Sequence, residues 1–283
     1  MRCLAQRQRT CGGLRRGDEG ESVRLHGRRE AMAWALCVGL PLGFPPENAL
    51  AISNGSAVSQ AWSALSGAPA DLTFPVSFAG TWIVYSTLTA VDVPQGEVLL
   101  QDVAVVDRAR GDVGRQVTYP MRFVRNGRDE VVMDRAYNVA AVAEATARAR
   151  DAVADVRWEL DDPNVLRASL GDGRSAFVRV TQRSETYPAP DRIETSEVAE
   201  VVLDRAEGQD SQAKVKATRT FTKWKFRDDE AAGDGPVIVA ACTVYDFLTP
   251  FDGDAFIQSK GQPVAQYTYR LALFRATPAN LHS

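Results

Sequence analysis

Histidine is almost missing from this 283-residue chain. The two present, His26 and His282, lie near its ends, so the long stretch between them has no imidazole. Nucleophile systems built on a histidine base, Ser-His-Asp and Cys-His alike, are excluded there in their usual form. Histidine-based zinc, iron and copper sites go with them. Cysteine is nearly as scarce: Cys3, Cys11 and Cys37 stand in the first part of the chain and leave Cys242 alone in the body. No internal disulfide can form in that body, and the apolar setting VIVAACTVYDF reads as a strand carrying a buried, inert thiol. No phosphate-cradling G-x-x-x-x-G-K-[ST] loop and no G-x-G-x-x-G fingerprint occurs. The acidic stretches RDDEAAGD (227–234) and PFDGDA (250–255) lack calcium-loop spacing and read as solvated loops or turns. The sequence therefore calls for no metal and no cofactor.

Long apolar runs are absent too. Residues 31–44, AMAWALCVGLPLGF, fall short of the roughly 20 apolar residues that span a membrane. Arg28 and Arg29 precede this run, and Ala49-Leu50-Ala51 follows Pro45 and Pro46. A basic end, a short apolar stretch and an A-x-A site make up an export signal, cleaved before Ile52, with an uncleaved anchor as the alternative. The signal is preceded by a further Arg-rich stretch, a bipartite pattern that resembles delivery to the thylakoid lumen. The first 51 residues hold eight arginines against five acids, whereas the whole chain is −3, so the body is acidic. That balance argues against nucleic acid, where Lys and Arg supply most of the affinity. After leader removal nothing in the body is expected to span a membrane.

Residues 52–77 are small and polar with Pro69 and Pro75, and read as a linker. The domain is expected over 78–276, with a tail from 277. Across it the period is mostly two. Alternating segments run at 78–93, 115–125, 129–137, 164–170, 175–187, 191–204, 213–227, 236–249 and 263–275. Asn126-Gly127 and Gly171-Asp172-Gly173 mark hairpins, the first as a turn with positive φ at both positions. In 213–227 the apolar face carries Ala213, Val215, Ala217 and Phe221, and then Trp224 and Phe226 take the opposite parity. That reads as a β-bulge. One helix is expected over about 138–154, capped by Asn138. Eight to ten strands with one helical insertion predict a closed antiparallel barrel, with a two-sheet sandwich as the alternative.

The opening FAGTWIVYSTL, the stretches VVMDRAYN (131–138) and YPAPDRIETSEV (187–198), and the terminal PVAQYTYRLAL together resemble a lipocalin-like family of unknown function from cyanobacteria and chloroplasts. The resemblance runs from about 74 to 274. It implies a lipocalin-like barrel associated with thylakoids and no known reaction. It also implies a structural plug: Gly80 turning the chain in, Trp82 closing one end, and an arginine of the last strand, Arg270 or Arg275, stacked on the ring. The plug is taken here as Gly80, Trp82 and Arg270.

The polar residues left for function are few. Asp134-Arg135 and Asp191-Arg192 put one member of each pair on the inner face of a strand, where it could orient a polar head group. The alternative is an ion pair or, for Asp191 after Pro188-Ala189-Pro190, a turn cap. Tyr267 and Tyr269 line either a cavity or the core. Inward alanines at 176, 199, 217 and 240 would leave room. The expected role is binding of an apolar small molecule such as a pigment, quinone or lipid. An accessory role beside a photosynthetic membrane complex stands level with it, and a carboxylate-based enzyme acting on lipid or carotenoid stands behind.

Overall fold

Alternating apolar and polar residues carry most of the chain into extended structure. The computed structural model describes residues 68–147, 152–171, 173–204 and 214–277. Within them ten strands form one antiparallel sheet, so the domain is mainly β. The strands are β1 (Gly80–Asp92), β2 (Gln116–Arg125), β3 (Val131–Met133), β4 (Val153–Glu159) and β5 (Asp162–Leu170), then β6 (Ser175–Ala189), β7 (Arg192–Asp204), β8 (Lys214–Phe226), β9 (Ile238–Phe247) and β10 (Ala265–Arg275). The helices are α1 (Val103–Gly111), α2 (Arg135–Ala147) and the short α3 (Asp229–Ala232) and α4 (Asp254–Ser259). The expected leader, the linker up to 67, the loop 205–213 and the tail 278–283 lie outside the described residues, with both histidines and the first three cysteines.

The strand order is β3-β2-β1-β10-β9-β8-β7-β6-β5-β4, which puts the first and last strands side by side in the middle. The sheet curls into a half-barrel whose edges are β3 and β4. It is neither the closed barrel the sequence predicts nor a sandwich of two sheets. The cause is local. β3 is only three residues long, and the chain then enters α2 instead of pairing onward. Helix α2 packs on both β2 and β4 and buries Val139, Val142, Ala143 and Ala147 over the opening. A helix laid there also shields the two edges from pairing with another chain.

Three local expectations are corrected by the way side chains satisfy the backbone. Asn138 is not the cap of α2. Asp134 precedes the first turn and its Oδ1 accepts from the Tyr137 N–H at 3.1 Å. Asn138 is one turn in and docks the helix on β2, accepting from Arg122 N at 2.7 Å and donating to Arg122 O at 3.1 Å. The helix therefore starts earlier than expected, and the described chain is already a strand at Val153. At Asn126-Gly127 the turn is wider than two residues. The Asn126 side chain accepts from the N–H groups of Arg128 and Glu130, and the positive φ falls on Asp129. Helix α1, not foreseen from the periodicity, starts on Asp102, whose Oδ1 accepts from Ala104 N and Val105 N. It buries Val105, Val106 and Ala109.

One end of the half-barrel is filled by aromatic rings. Phe74, Phe78, Phe123 and Trp224 meet edge-on or tilted at centroid distances of 5.0–6.5 Å, and Phe226 stacks on Phe78 at 5.3 Å. Trp82 belongs to the same cluster and is 0% exposed. Its indole N–H donates to Phe78 O at 2.7 Å. Gly80, two residues before, has φ +115°, a conformation that side-chain-bearing residues rarely adopt. The stacked arginine is Arg275, 4.1 Å from the Trp82 ring, and not Arg270. Register explains the difference. Arg275 is the Cα partner of Trp82, whereas Arg270 lies opposite Thr87 with its side chain exposed. Replacing Trp82 by Ala is expected to cost about 3–5 kcal/mol in urea unfolding. Arg270→Ala should stay within about 0.5 kcal/mol, and a larger loss there would contradict this assignment of the plug.

Candidate functional site

Parity along the central strands decides what the concave face carries. β8 pairs with β7 and β9 without a register break, so the expected bulge is absent from it. Breaks occur instead in β1, β6 and between β4 and β5. With no slip, Thr220 and Thr222 share the inner face with Trp224, and Phe221 turns outward. The bulge expectation assumed that the inner face must be apolar throughout. It is not, because a cavity lies against it.

This cavity encloses about 60 Å³ and is not sealed from solvent. That is room for about four to six water molecules. Leu72, Met121, Met133, Val142 and Leu271 give its lining apolar surface, and Ser86, Tyr119, Thr220, Thr222, Cys242 and Tyr269 set hydroxyls and a thiol among them. Burial, partly offset by a hydrogen bond with Ser86, raises the Tyr119 phenol well above its ordinary range. Burial raises Tyr269 likewise. It pushes the Cys242 thiol up to about 11, against a hydrogen bond from Thr222. These groups are therefore neutral at any ordinary pH. The indole of Trp224 donates to Thr195 Oγ1 at 3.0 Å at the plug end of the same space.

Beside the cavity is a buried charge cluster of two arginines and two carboxylates. Arg135, at the start of α2, donates through Nη1 to Glu197 Oε1 at 2.9 Å and through Nη2 to Glu197 Oε2 and to Asp71 Oδ1, the last at 3.0 Å. Arg183 of β6 donates through Nε to Glu197 Oε2 at 2.7 Å and lies 3.5 Å from Asp71 Oδ1. It also reaches Asn164 of β5 and the carbonyls of Pro163, Pro69 and Ala70. Burial works to raise the Glu197 pKa, but the Arg135 and Arg183 charges outweigh it and hold the carboxyl below its usual range. Glu197 thus stays ionised, with both oxygens occupied.

The cluster fastens the segment ahead of β1, part of which was expected to be linker. Thr73 N and Oγ1 each donate to Glu185 at 2.8 Å, and Phe74 bridges to Val131 of β3. Residues 69–74 therefore run as a strap from β5 and β6 to the opposite edge, and Leu72 reaches the cavity on the way.

Of the residues singled out from sequence, Arg135 is in the charge cluster. Tyr269 lines the cavity, and Tyr267 packs beyond it with Leu88, Val244 and Val106 of α1. Asp134 caps α2 and pairs with Arg122, whose Nε donates to it at 2.8 Å. Asp191 and Arg192 do not reach the site. They stand about half-exposed at the β6–β7 turn, 3.8 Å from each other, with Lys225 beside Asp191. Among the inward alanines, Ala199 and Ala240 are buried in the core.

The sequence reading missed Glu197, Arg183, Asp71 and the threonines of β8. The signal was there in part. Glu197 interrupts an otherwise neutral parity row, Thr195, Glu197, Ala199, Val201, and T-x-T-x-T-x-W-x-F continues from 218 to 226 in one parity.

Comparison with known families decides the assignment. A family described as a domain of unknown function (DUF6816) matches residues 66–277. The chain belongs to the DUF6816 family. No curated protein and no solved structure matches it. The DUF6816 span covers the strap as well as all ten strands, so the Asp71 end of the cluster is part of the domain. No helix among the described DUF6816 residues is long and apolar enough to cross a membrane.

Removing one member of the cluster strands the others. Glu197→Gln leaves Arg135 and Arg183 facing Asp71 alone, and a loss of about 3–5 kcal/mol is expected in denaturant unfolding at neutral pH. The Glu197 pKa is depressed by folding, so its contribution is present above the unfolded-state value and fades as pH falls through the folded one. The variant should therefore lose less stability on acidification than the parent. Parallel acid profiles for the two would show that Glu197 is not held as described.

Proposed function

We propose that this protein is a lipocalin-like binding module that takes one apolar or amphipathic small molecule into its half-barrel. The observation that carries the reading is the unsealed cavity, whose lining mixes apolar side chains with hydroxyls. Small-molecule sites commonly combine an apolar lining with a few placed polar groups. Its size sets the way in. A dry cavity near 150 Å³ accepts a benzene ring, so a quinone ring or a pigment exceeds the present space, whereas one end of a slender lipid-like molecule does not. The proposed location is the thylakoid lumen, on the strength of the bipartite leader in the sequence. Catalysis by carboxylates is the weaker reading, because Glu197 is ionised and fully engaged and so has no proton to give.

Native mass spectrometry of the full chain, incubated with a thylakoid lipid and pigment extract, tests the reading. One retained mass per chain is expected, displaced when the extract is depleted of lipids. A bare protein at both neutral and mildly acidic pH would overturn it.

An outer surface supports the accessory role as a second reading. Val98, Phe251 and Ile257 are 87%, 62% and 72% exposed. Hydrogen bonds from Gln101 to Asp252 and from Gln95 to Ser259 O hold their segments together at the end opposite the plug. If this end docks on a photosynthetic membrane complex, a Phe251→Ser, Ile257→Ser double variant should no longer sediment with thylakoid membranes. Unchanged sedimentation would remove that role.

A further inference from the structure

We infer that the cavity selects a ligand by an uncharged head group bearing a hydrogen-bonding oxygen, a hydroxyl or a carbonyl, and discriminates against a carboxylate. The inference rests on the binding reading above and adds the chemistry of what is bound.

Two hydroxyls face the cavity. Thr220 Oγ1 is buried and has no hydrogen bond. Tyr269 is 4% exposed and lines the same space, its phenol kept neutral chiefly by burial. A buried hydroxyl left unmatched costs about 1–3 kcal/mol, which an incoming oxygen would recover. A ligand oxygen that displaces water from such a site must make the same bonds.

Nothing in the cavity balances a charge. The only lining group that is ionised at ordinary pH is Glu197, which would repel a carboxylate. The nearby cations already face carboxylates: Arg135 binds Glu197 and Asp71 through both terminal nitrogens, leaving only its buried Nε unbonded, and Arg183 binds those two, Asn164 and three carbonyls. The phenols and the thiol are kept neutral by burial, so they donate hydrogen bonds without carrying charge. An anionic head would thus be buried without a counter-ion, the costliest arrangement available to it. An amine would meet a carboxylate already saturated by two guanidiniums. A neutral oxygen fits both hydroxyls, and the apolar body behind it fits Leu72, Met121, Met133 and Leu271.

The test uses the full chain and a matched pair of probes, 1-hexanol and hexanoate, near neutral pH. Binding is read from the fluorine NMR resonance of Trp224, which lines the cavity, in fluorotryptophan-labelled protein. Hexanol should bind at least about tenfold more tightly than hexanoate, one hydrogen bond plus the unbalanced charge amounting to 1.4 kcal/mol or more. Tyr269→Phe and Thr220→Val keep the size of the side chains and should each weaken hexanol by roughly three- to tenfold, the range of a single neutral hydrogen bond. Hexanoate binding as tightly as hexanol would overturn the inference and leave the binding reading standing. So would hexanol binding that neither variant weakens. If neither probe moves the Trp224 resonance while native mass spectrometry shows a bound molecule, only the present inference falls; if both experiments are blank, both fall.

Discussion

Glu197 gives each of its carboxylate oxygens to an arginine from a different part of the chain, and that arrangement holds shut a sheet that its own hydrogen bonds leave open. β3 and β4 are not paired. Arg135 anchors the helix that fills the gap, Arg183 brings in β6 and β5, and Asp71 brings in the strap. A ladder of backbone bonds would have closed the barrel without charge. Closing it with side chains requires that two positive and two negative groups be buried together, since any one alone would be prohibitive. The cavity depends on this. With α2 and the strap detached, Val142, Met133 and Leu72 leave its wall, and the hydroxyl face of β8 opens to water.

The same constraint separates what the sequence shows from what it hides. Long alternating segments identify nine of the ten strands, because period-two burial leaves its mark on each residue. Trp82 and Gly80 are legible for the same reason: the ring needs a core and the glycine a positive φ. β4 is lost because its burial is shallow. Helix α1 is lost because its only strong signal is a single aspartate cap. Openness is invisible for a different reason. Nothing local in VVM announces that the third strand stops after three residues.

The site is less legible than the fold. Arg135 and Tyr269 could be nominated from one-dimensional patterns, but the carboxylates that bind Arg135, Asp71 and Glu197, lie far away in the chain. A threonine run reads as a solvent face because threonine usually is one, and the opposite holds here because Thr220 and Thr222 line a cavity. Arg270 and Arg275 show the limit sharply. Both lie on the last strand, and only the register against β1 tells which one meets the indole.

That register has a consequence in time. β1 lies between β2 and β10, so one flank of the strand that opens the domain is covered only by the strand that ends it. Contacts this distant in sequence form slowly. As the chain emerges, β1 and β9 each present a bare edge until residues 265–275 arrive, and Trp82 has no guanidinium above it until Arg275 is made. The domain cannot be assembled piece by piece from its beginning. A chain that ends early is left with two unpaired strands in the middle of its sheet, where an aggregating neighbour would find them.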